Sequence, residues 1–259
     1  MIGPTSLRSW SAGSGAGEVP IRRLHGGSLN GPRGELYTAA AALDRLLVRS
    51  LTSSHFSCLA QLDNNFVFDQ TLIVWTLPIQ SGFALLTSRV HETWTLFLGA
   101  TLEDRGRYNI EDCFRNFPFP TNFDTHPALE KIGREYHNFR AQLMIDRQEG
   151  LTKTYNRVHA RGDNTPGITR LRELHAEMDV AVLRAYGWDD LAGRAVPEFI
   201  EQDADEGKTP KTRLDWPAEF KDEVLARLLT LNAERAATER LAGLLPVVAD
   251  DDEIEEVET

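Results

Sequence analysis

Apolar residues recur along this chain at two spacings, and the switch between them divides it. From Ser81 onward Phe83, Leu86, Val90, Trp94 and Phe97 step by three or four, which lines one face of a helix. Ser88, Arg89, Glu92 and Thr95 fall on the other face, and Gly99 suits the left-handed residue that closes a helix. A charged turn, Glu103–Arg107, leads to an aromatic strap of Phe114, Phe117 and Phe119 pinned by Pro118 and Pro120, which disfavour helix there. Upstream, Leu36, Ala39 or Ala40, Leu43 and Leu47 predict a short helix over Glu35–Leu47. The pattern then turns to strand in LLVRSLTSSHF, SCLAQLD and FVFDQTLIVWTLP, with Asp63-Asn64-Asn65 as a turn and Asp69-Gln70 as a bend. Enrichment in Val, Ile, Thr, Phe and Trp predicts an antiparallel β unit.

Downstream the helical period dominates. Pro127 opens a helix with Leu129, Ile132, Tyr136, Phe139 and Leu143 on one stripe. Gly150 introduces a polar stretch, LTKTYNRVHARGDN, that reads as a loop. Thr165-Pro166 starts a second helix, with Ile168, Leu171, Leu174, Met178, Val182 and Tyr186 aligned and Gly187 as its stop. Residues 195–215 read as acidic and irregular, and Pro217 starts a third helix with Phe220, Val224, Leu228 and Leu231 on one face. The expected fold class is α+β: a small antiparallel β unit packed with helices, then a mainly α-helical C-terminal region. The expected organisation is a disordered or non-native leader (1–32), an α+β domain (33–126), a helical domain (127–245) and an acidic disordered tail (246–259).

Composition changes this picture in two places. At 259 residues and 41% hydrophobic the chain can bury a core, and it has no apolar run of about 18 residues to span a membrane. The start lacks a signal-peptide pattern, and the two cysteines, Cys58 and Cys113, read as reduced thiols, so a cytoplasmic location is expected. The net charge of −11 is unevenly spread: residues 1–194 carry 21 basic and 21 acidic side chains, and residues 195–259 carry 7 against 18. Between 140 and 172, Arg140, Arg147, Lys153, Arg157, Arg161, Arg170 and Arg172 meet three acids, a local basic patch that suits phosphates or is simply a solvated surface.

The candidate chemistry is binding rather than catalysis. Thr152, Lys153, Tyr155, Asn156 and Arg157 gather hydroxyls, an amide and two cations, which suit phosphate oxygens on a duplex or, equally, the docking of one helix on another. Arg89, exposed by periodicity, either pairs with Glu92 or reads a guanine edge; His91 either hydrogen-bonds at a core margin or reads a base. His55, His159 and His175 are weighed in the same way, and the acids at 201–206 read as a solvated loop rather than a metal site. No Walker loop, nucleophile elbow or metal-spaced histidine pair occurs.

Ser88, His91, Trp94, Tyr108, Phe117, Pro118 and Pro120 carry a resemblance. The stretch LLTSRVHETWTLFLGATLEDRGRYNIEDCFRNFPFP resembles the C-terminal part of the large adenine-specific DNA methyltransferases of type II (IIG-like) restriction-modification and phage-defence systems. There a helix of the form S-R/S-x-H-x-x-W precedes a tyrosine-containing turn and an F-P-x-P strap. Gly150–Leu191 resembles the same family's C-terminal helical region, and the likeness runs roughly from Arg33 to Gly243. Where the family often has a lysine, this chain has Ser54. The resemblance implies a target-recognition role on double-stranded DNA, with a separate methyltransferase chain or a lost upstream half supplying catalysis. A glycine-rich cofactor loop and an N-P-P-[YFW] turn, which an adenine methyltransferase needs, are missing from this sequence. No catalytic residue and no cofactor are therefore expected on this chain; S-adenosylmethionine, and Mg²⁺ in members that use it, belong to the full-length family. The alternative is a protein-interaction module docking through Phe114–Pro120 and the long helices; a free-standing nuclease fits less well.

Overall fold

Leu46 and Val48 point to one face of an extended segment and Leu47 to the other, and all three are buried, which a strand covered on both sides requires. That segment is β2 (Arg45–Ser50) of a four-stranded antiparallel sheet in the order β1-β4-β2-β3, with β1 (Leu24–His25), β3 (Ala60–Asp63) and β4 (Leu72–Trp75). Leu47 pairs with Gln61 on one side and Trp75 on the other. The computed structural model describes residues 24–25, 40–53, 58–66, 68–69, 71–98, 101–102, 105–106, 108–201 and 212–242. The expected helix over Glu35–Leu47 is corrected in its described part: the chain turns at 41–42 and becomes strand at Arg45. β-Branched and leucine side chains with neighbours on both faces outweigh the weak helical spacing. Two residues of the expected leader, Leu24 and His25, pair with Val74 and Ile73. The rest of that leader, His55, Gly99, most of Glu103–Arg107, the acids at 202–206 and the tail at 246–259 lie outside the described residues.

The helix expected from Ser81 is two helices, α1 (Ile79–Thr87) and α2 (Arg89–Leu98), broken at Ser88. Ser88 is extended (ψ 156°); its hydroxyl donates to the Leu85 carbonyl at 2.7 Å and accepts from the His91 amide at 3.4 Å. A serine side chain that closes one helix and caps the next replaces the continuous ladder. The break shifts the register, so Arg89 turns inward and Phe97 is 51% exposed. β5 (Thr101–Leu102) and β6 (Arg105–Gly106) form a small hairpin. Phe114 then sits in a π-helical turn, Glu111–Arg115, and Phe117 and Phe119 follow as an extended strap. The strap is inside the protein: Phe119 meets Phe117 at 5.0 Å and Phe123 at 4.8 Å between ring centroids.

Pro127 opens α3 (Pro127–Arg147) as expected, and α3 packs between α1 and α5 (Pro166–Ala185). Gly133 allows the close crossing of α1, since a Cβ there would lie 2.1 Å from the Gln80 carbonyl oxygen. The stretch after Gly150 is not a loop. It forms α4 (Leu151–His159), with Thr154, Tyr155, Val158 and His159 buried. Four inward residues at helical spacing are enough apolar and polar packing to hold a short helix that reads as hydrophilic. α6 (Asp189–Ala192) follows Gly187, whose φ of +77° confirms the expected stop. Residues 195–215 are not wholly irregular: β7 (Glu198–Glu201) and β8 (Thr212–Asp215) pair antiparallel. α7 (Ala218–Leu241) buries Phe220, Val224 and Leu228. The fold is α+β, and one hydrophobic cluster runs from Leu47 to Leu228 across the boundary expected at 126/127.

Candidate nucleic-acid interface

Arg89 lies at the start of α2 and is 2% exposed. Its backbone amide donates to Asp179 Oδ1 at 2.8 Å and its Nη1 to Asp179 Oδ2 at 2.5 Å, while Nη2 donates to the Leu214 carbonyl at 3.2 Å. Asp179 on α5 therefore caps α2 and neutralises its first side chain at once. Burial pushes the Asp179 carboxyl up to about 6, and Arg89 pulls it back. The expectation that Arg89 is exposed, paired with Glu92 or a guanine, is corrected by this register. Glu92 instead pairs with Arg213 of β8.

His91 is also interior. Its Nε2 lies 3.1 Å from the Tyr108 hydroxyl, and Phe117 meets the ring edge-on at 4.8 Å. Burial, with Arg49 nearby, lowers its pKa to about 3, so the ring is neutral. Trp94 packs on the same Phe117 at 6.0 Å. His175 lies 3.2 Å from the Thr87 carbonyl through Nε2, and His159 Nδ1 accepts from the Leu214 amide at 3.1 Å. The residues that carry the sequence resemblance are thus a structural junction: Ser88 breaks the helix, and His91, Trp94, Tyr108 and Phe117 fill the angle behind it.

The polar stretch from Thr152 to Arg157 divides by helical face. Tyr155 is fully buried, its hydroxyl 3.1 Å from that of Tyr136 and accepting from Arg140 at 2.9 Å. It cannot touch a duplex in this arrangement, and its role as a contact is corrected accordingly. Thr152, Lys153 and Asn156 face outward, with Arg157 beside them, half-buried. Thr152 and Lys153 stand in the first turn of α4, where the first amides of a helix lack intrahelical partners and favour an anion, whereas Asn156 and Arg157 lie towards its C-terminal end.

The basic stretch is largely engaged within the protein. Glu149, just before α4, accepts from Arg157 Nε and Nη2 at 2.9 Å and pairs with Lys153 Nζ at 3.3 Å. Arg157 also donates to Asp163 at 2.9 Å. Its hydrogen bonds lower the Glu149 pKa, and those from Thr165 and Arg157 lower that of Asp163 to about 2. Arg172 donates to the Val158, Arg157 and Ala160 carbonyls at the end of α4, as a helix terminus favours. Arg161 donates to the Phe199 carbonyl, Arg147 to the Thr165 hydroxyl, and Arg170 meets Glu135, Glu173 and Glu177. Arg140 is buried. Sequence spacing identifies the patch but not its internal acceptors, because Glu149 and Asp163 precede and follow α4 as isolated acids and four acceptors are backbone carbonyls.

Among the described residues no group of three His, Cys, Asp or Glu side chains is placed to hold a metal ion, and no helix is long and apolar enough to cross a membrane. Cys58 and Cys113 are free thiols. No family model matches the chain, and no curated protein matches it. Among solved structures, it is similar to the type IIL restriction-modification enzyme MmeI in complex with DNA, at 17% identity and a TM-score of 0.47. That overlap covers 74% of this chain and 21% of MmeI, so the chain spans about a fifth of that enzyme's length.

Proposed function

We propose that this chain is the DNA-recognition part of an adenine-N6 DNA methyltransferase or restriction-modification enzyme, gripping the duplex for a catalytic domain that is not among these residues. The sequence resemblance supplies the family. The grip rests on one arrangement: the solvent side of α4 presents Thr152 and Lys153 in its first turn and Asn156 further along, with Arg157 in the last turn at its edge. Such groups contact phosphate oxygens, so they orient a protein on DNA without reading its sequence. S-adenosylmethionine would serve the partner domain; no step is assigned to this chain.

A second reading, a protein-interaction module, is favoured by the internal pairing of the basic stretch, which leaves little free cation for a polyanion. In that version Phe114–Pro120 cannot be the docking surface, because those rings are buried.

Salt separates the two. Purified chain is titrated with a random duplex from low to moderate salt, beside Lys153→Ala/Arg157→Ala, with a thermal melt of each. On the DNA reading the double variant lowers the log–log salt slope by roughly 1.8, about 0.9 for each phosphate no longer neutralised, and weakens all sequences alike. An unchanged slope in a folded double variant assigns α4 to structure alone. Absence of binding at low salt by every variant favours the interaction module.

A further inference from the structure

Arg140 is a buried cation that the fold does not neutralise. It lies on α3 and is 3% exposed. Nη1 donates to the Tyr155 hydroxyl at 2.9 Å, Nη2 donates to the Leu59 carbonyl at 2.7 Å, and its guanidinium carbon lies 5.0 Å from the centroid of the Phe83 ring. These partners are neutral. Burial pushes the Tyr136 hydroxyl and the Cys58 thiol up, so neither supplies a negative charge at neutral pH. No carboxylate of the described residues pairs with it, in contrast to Arg89, which has Asp179. Taking a guanidinium out of water is costly, and hydrogen bonds to neutral groups compensate only in part.

A cavity of about 430 Å³ opens beside this cation, within the range of small-molecule sites. Ala141, Met144 and Ile145 of α3 wall it with Leu151 of α4, and Gln61 of β3 and His137 border it. Ala141, Met144 and Ile145 form its apolar side, with His137 one turn earlier on α3 and Gln148 just past the helix end. Gln148 closes the far end in the left-handed conformation, with φ of 52°. Glu149 also borders the cavity, but its carboxylate is held by Arg157 and Lys153. His137 is kept neutral by burial and by the Arg140 and Arg45 charges, with its pKa lowered to about 4. The unbalanced charge at the cavity is that of Arg140.

We propose that this cavity binds a small molecule with one anionic head, a carboxylate or a phosphate, on an apolar body. Arg140 is the counter-charge for the head, and Met144, Ile145 and Leu151 enclose the body. The site is distinct from the duplex grip on the outward face of α4, with Glu149 bordering the one and pairing with Lys153 and Arg157 of the other. The Arg140 charge gives the head its selectivity, and the apolar wall gives the body its affinity.

The test uses the full chain and three matched probes: naphthalene-2-carboxylate, 2-naphthyl phosphate and the neutral naphthalene-2-carboxamide. Calorimetric titration reads stoichiometry and affinity. At least one anion is expected to bind one to one and about tenfold or more tighter than the amide. The tighter anion identifies the head group. Ile145 is 68% exposed at the rim, so Ile145→Glu and Ile145→Lys should both fold. The first weakens the anions and the second strengthens them, each with little effect on the amide. Arg140→Met should abolish the preference for anion over amide; if it fails to fold, the Ile145 pair still decides. Equal affinity for anions and amide, indifference of the anions to charge at 145, or no binding of any probe up to about 1 mM overturns the proposal.

Discussion

Replacing Gly133 by alanine sets two known effects against each other. Alanine is the better helix residue by about 0.5–1 kcal/mol, and α3 is a long helix in which that gain should be realised. At this position, however, the new Cβ would lie 2.1 Å from the Gln80 carbonyl oxygen and 2.9 Å from its carbon. Both atoms belong to the backbone of the first turn of α1, so no rotamer change clears them. Ordinary contact needs about 3.5 Å, so the two helices must part by roughly an ångström. They form the centre of the core, with Phe83 and Tyr136 rings 6.1 Å apart across the crossing. Overpacking of this kind costs about 1–3 kcal/mol, and more when backbone must move. The net loss is set at about 2 kcal/mol, which lowers the melting temperature by about 4–8 °C in a chain of this size. Thermal and urea denaturation followed by circular dichroism measure it, with the urea slope expected to stay constant. Gly167→Ala is the control: its Cβ meets the tip of the flexible Leu143 side chain at 2.5 Å and should be tolerated better. A Gly133→Ala protein as stable as the parent, or more so, would refute the idea that the glycine exists for the crossing.

Asp179→Asn should cost about 3 kcal/mol, because it leaves the buried Arg89 guanidinium with only Asp215, 4.0 Å from its Nε, whereas Arg89→Met/Asp179→Leu should recover much of that loss; urea midpoints of both singles and the double decide it. Glu149→Gln removes a carboxylate beside Lys153 and Arg157 and should raise low-salt affinity for a duplex while keeping the wild-type salt slope, since the two cations already account for about 1.8 of it; unchanged affinity would mean that neither cation reaches a phosphate. Stability should fall on acidification below about pH 6.5. His91 and His137, lowered to about 3 and 4 in the fold, take up protons more readily when unfolded, so the unfolded chain gains through that window. Asp163, lowered to about 2, adds to the loss below about pH 4, while Asp179, raised to about 6, opposes it between about pH 6 and 4. A urea midpoint that is flat or rises from pH 7 to pH 4 would contradict this balance.

The sequence announces elements whose apolar spacing is long and regular. α3 and α5 start at their prolines, Gly187 stops α5, and Leu129, Ile132, Tyr136 and Ile168 to Val182 all point inward. The α+β class follows from the same periodicities. Three features are hidden from it. Ser88 breaks a helix that the spacing runs straight through, because its cap, Asp179, is 90 residues away. The β2 strand looks helical where Leu43 and Leu47 share a period, because the pairing that makes it a strand involves β3 and β4. α4 reads as a loop because its inward face is Thr154, Tyr155 and His159, polar side chains that become core only when Arg140, Tyr136 and Leu214 are beside them. The candidate site suffers for the same reason. Thr152, Lys153, Asn156 and Arg157 lie at or near the surface, on a helix where the sequence reads as a loop, while Arg89, His91 and Tyr155 are claimed by distant partners.

The Arg89–Asp179 clasp bears on the order in which the chain acquires structure. α2 lies in the first half of the protein, yet its first amide is capped from α5 and its first side chain is held by β8, 90 and 125 residues later. During synthesis on a ribosome, the N-terminal sheet and α1 can be complete while the following helix still lacks its start. Contacts spanning that much chain delay folding, since loop closure must precede their reward. A nascent chain ending near residue 200 would hold the Asp179 cap but not the Leu214 carbonyl, and the angle at Ser88 would be fixed only once β8 arrived. The angle between the two helices therefore depends on chain 125 residues downstream of Arg89.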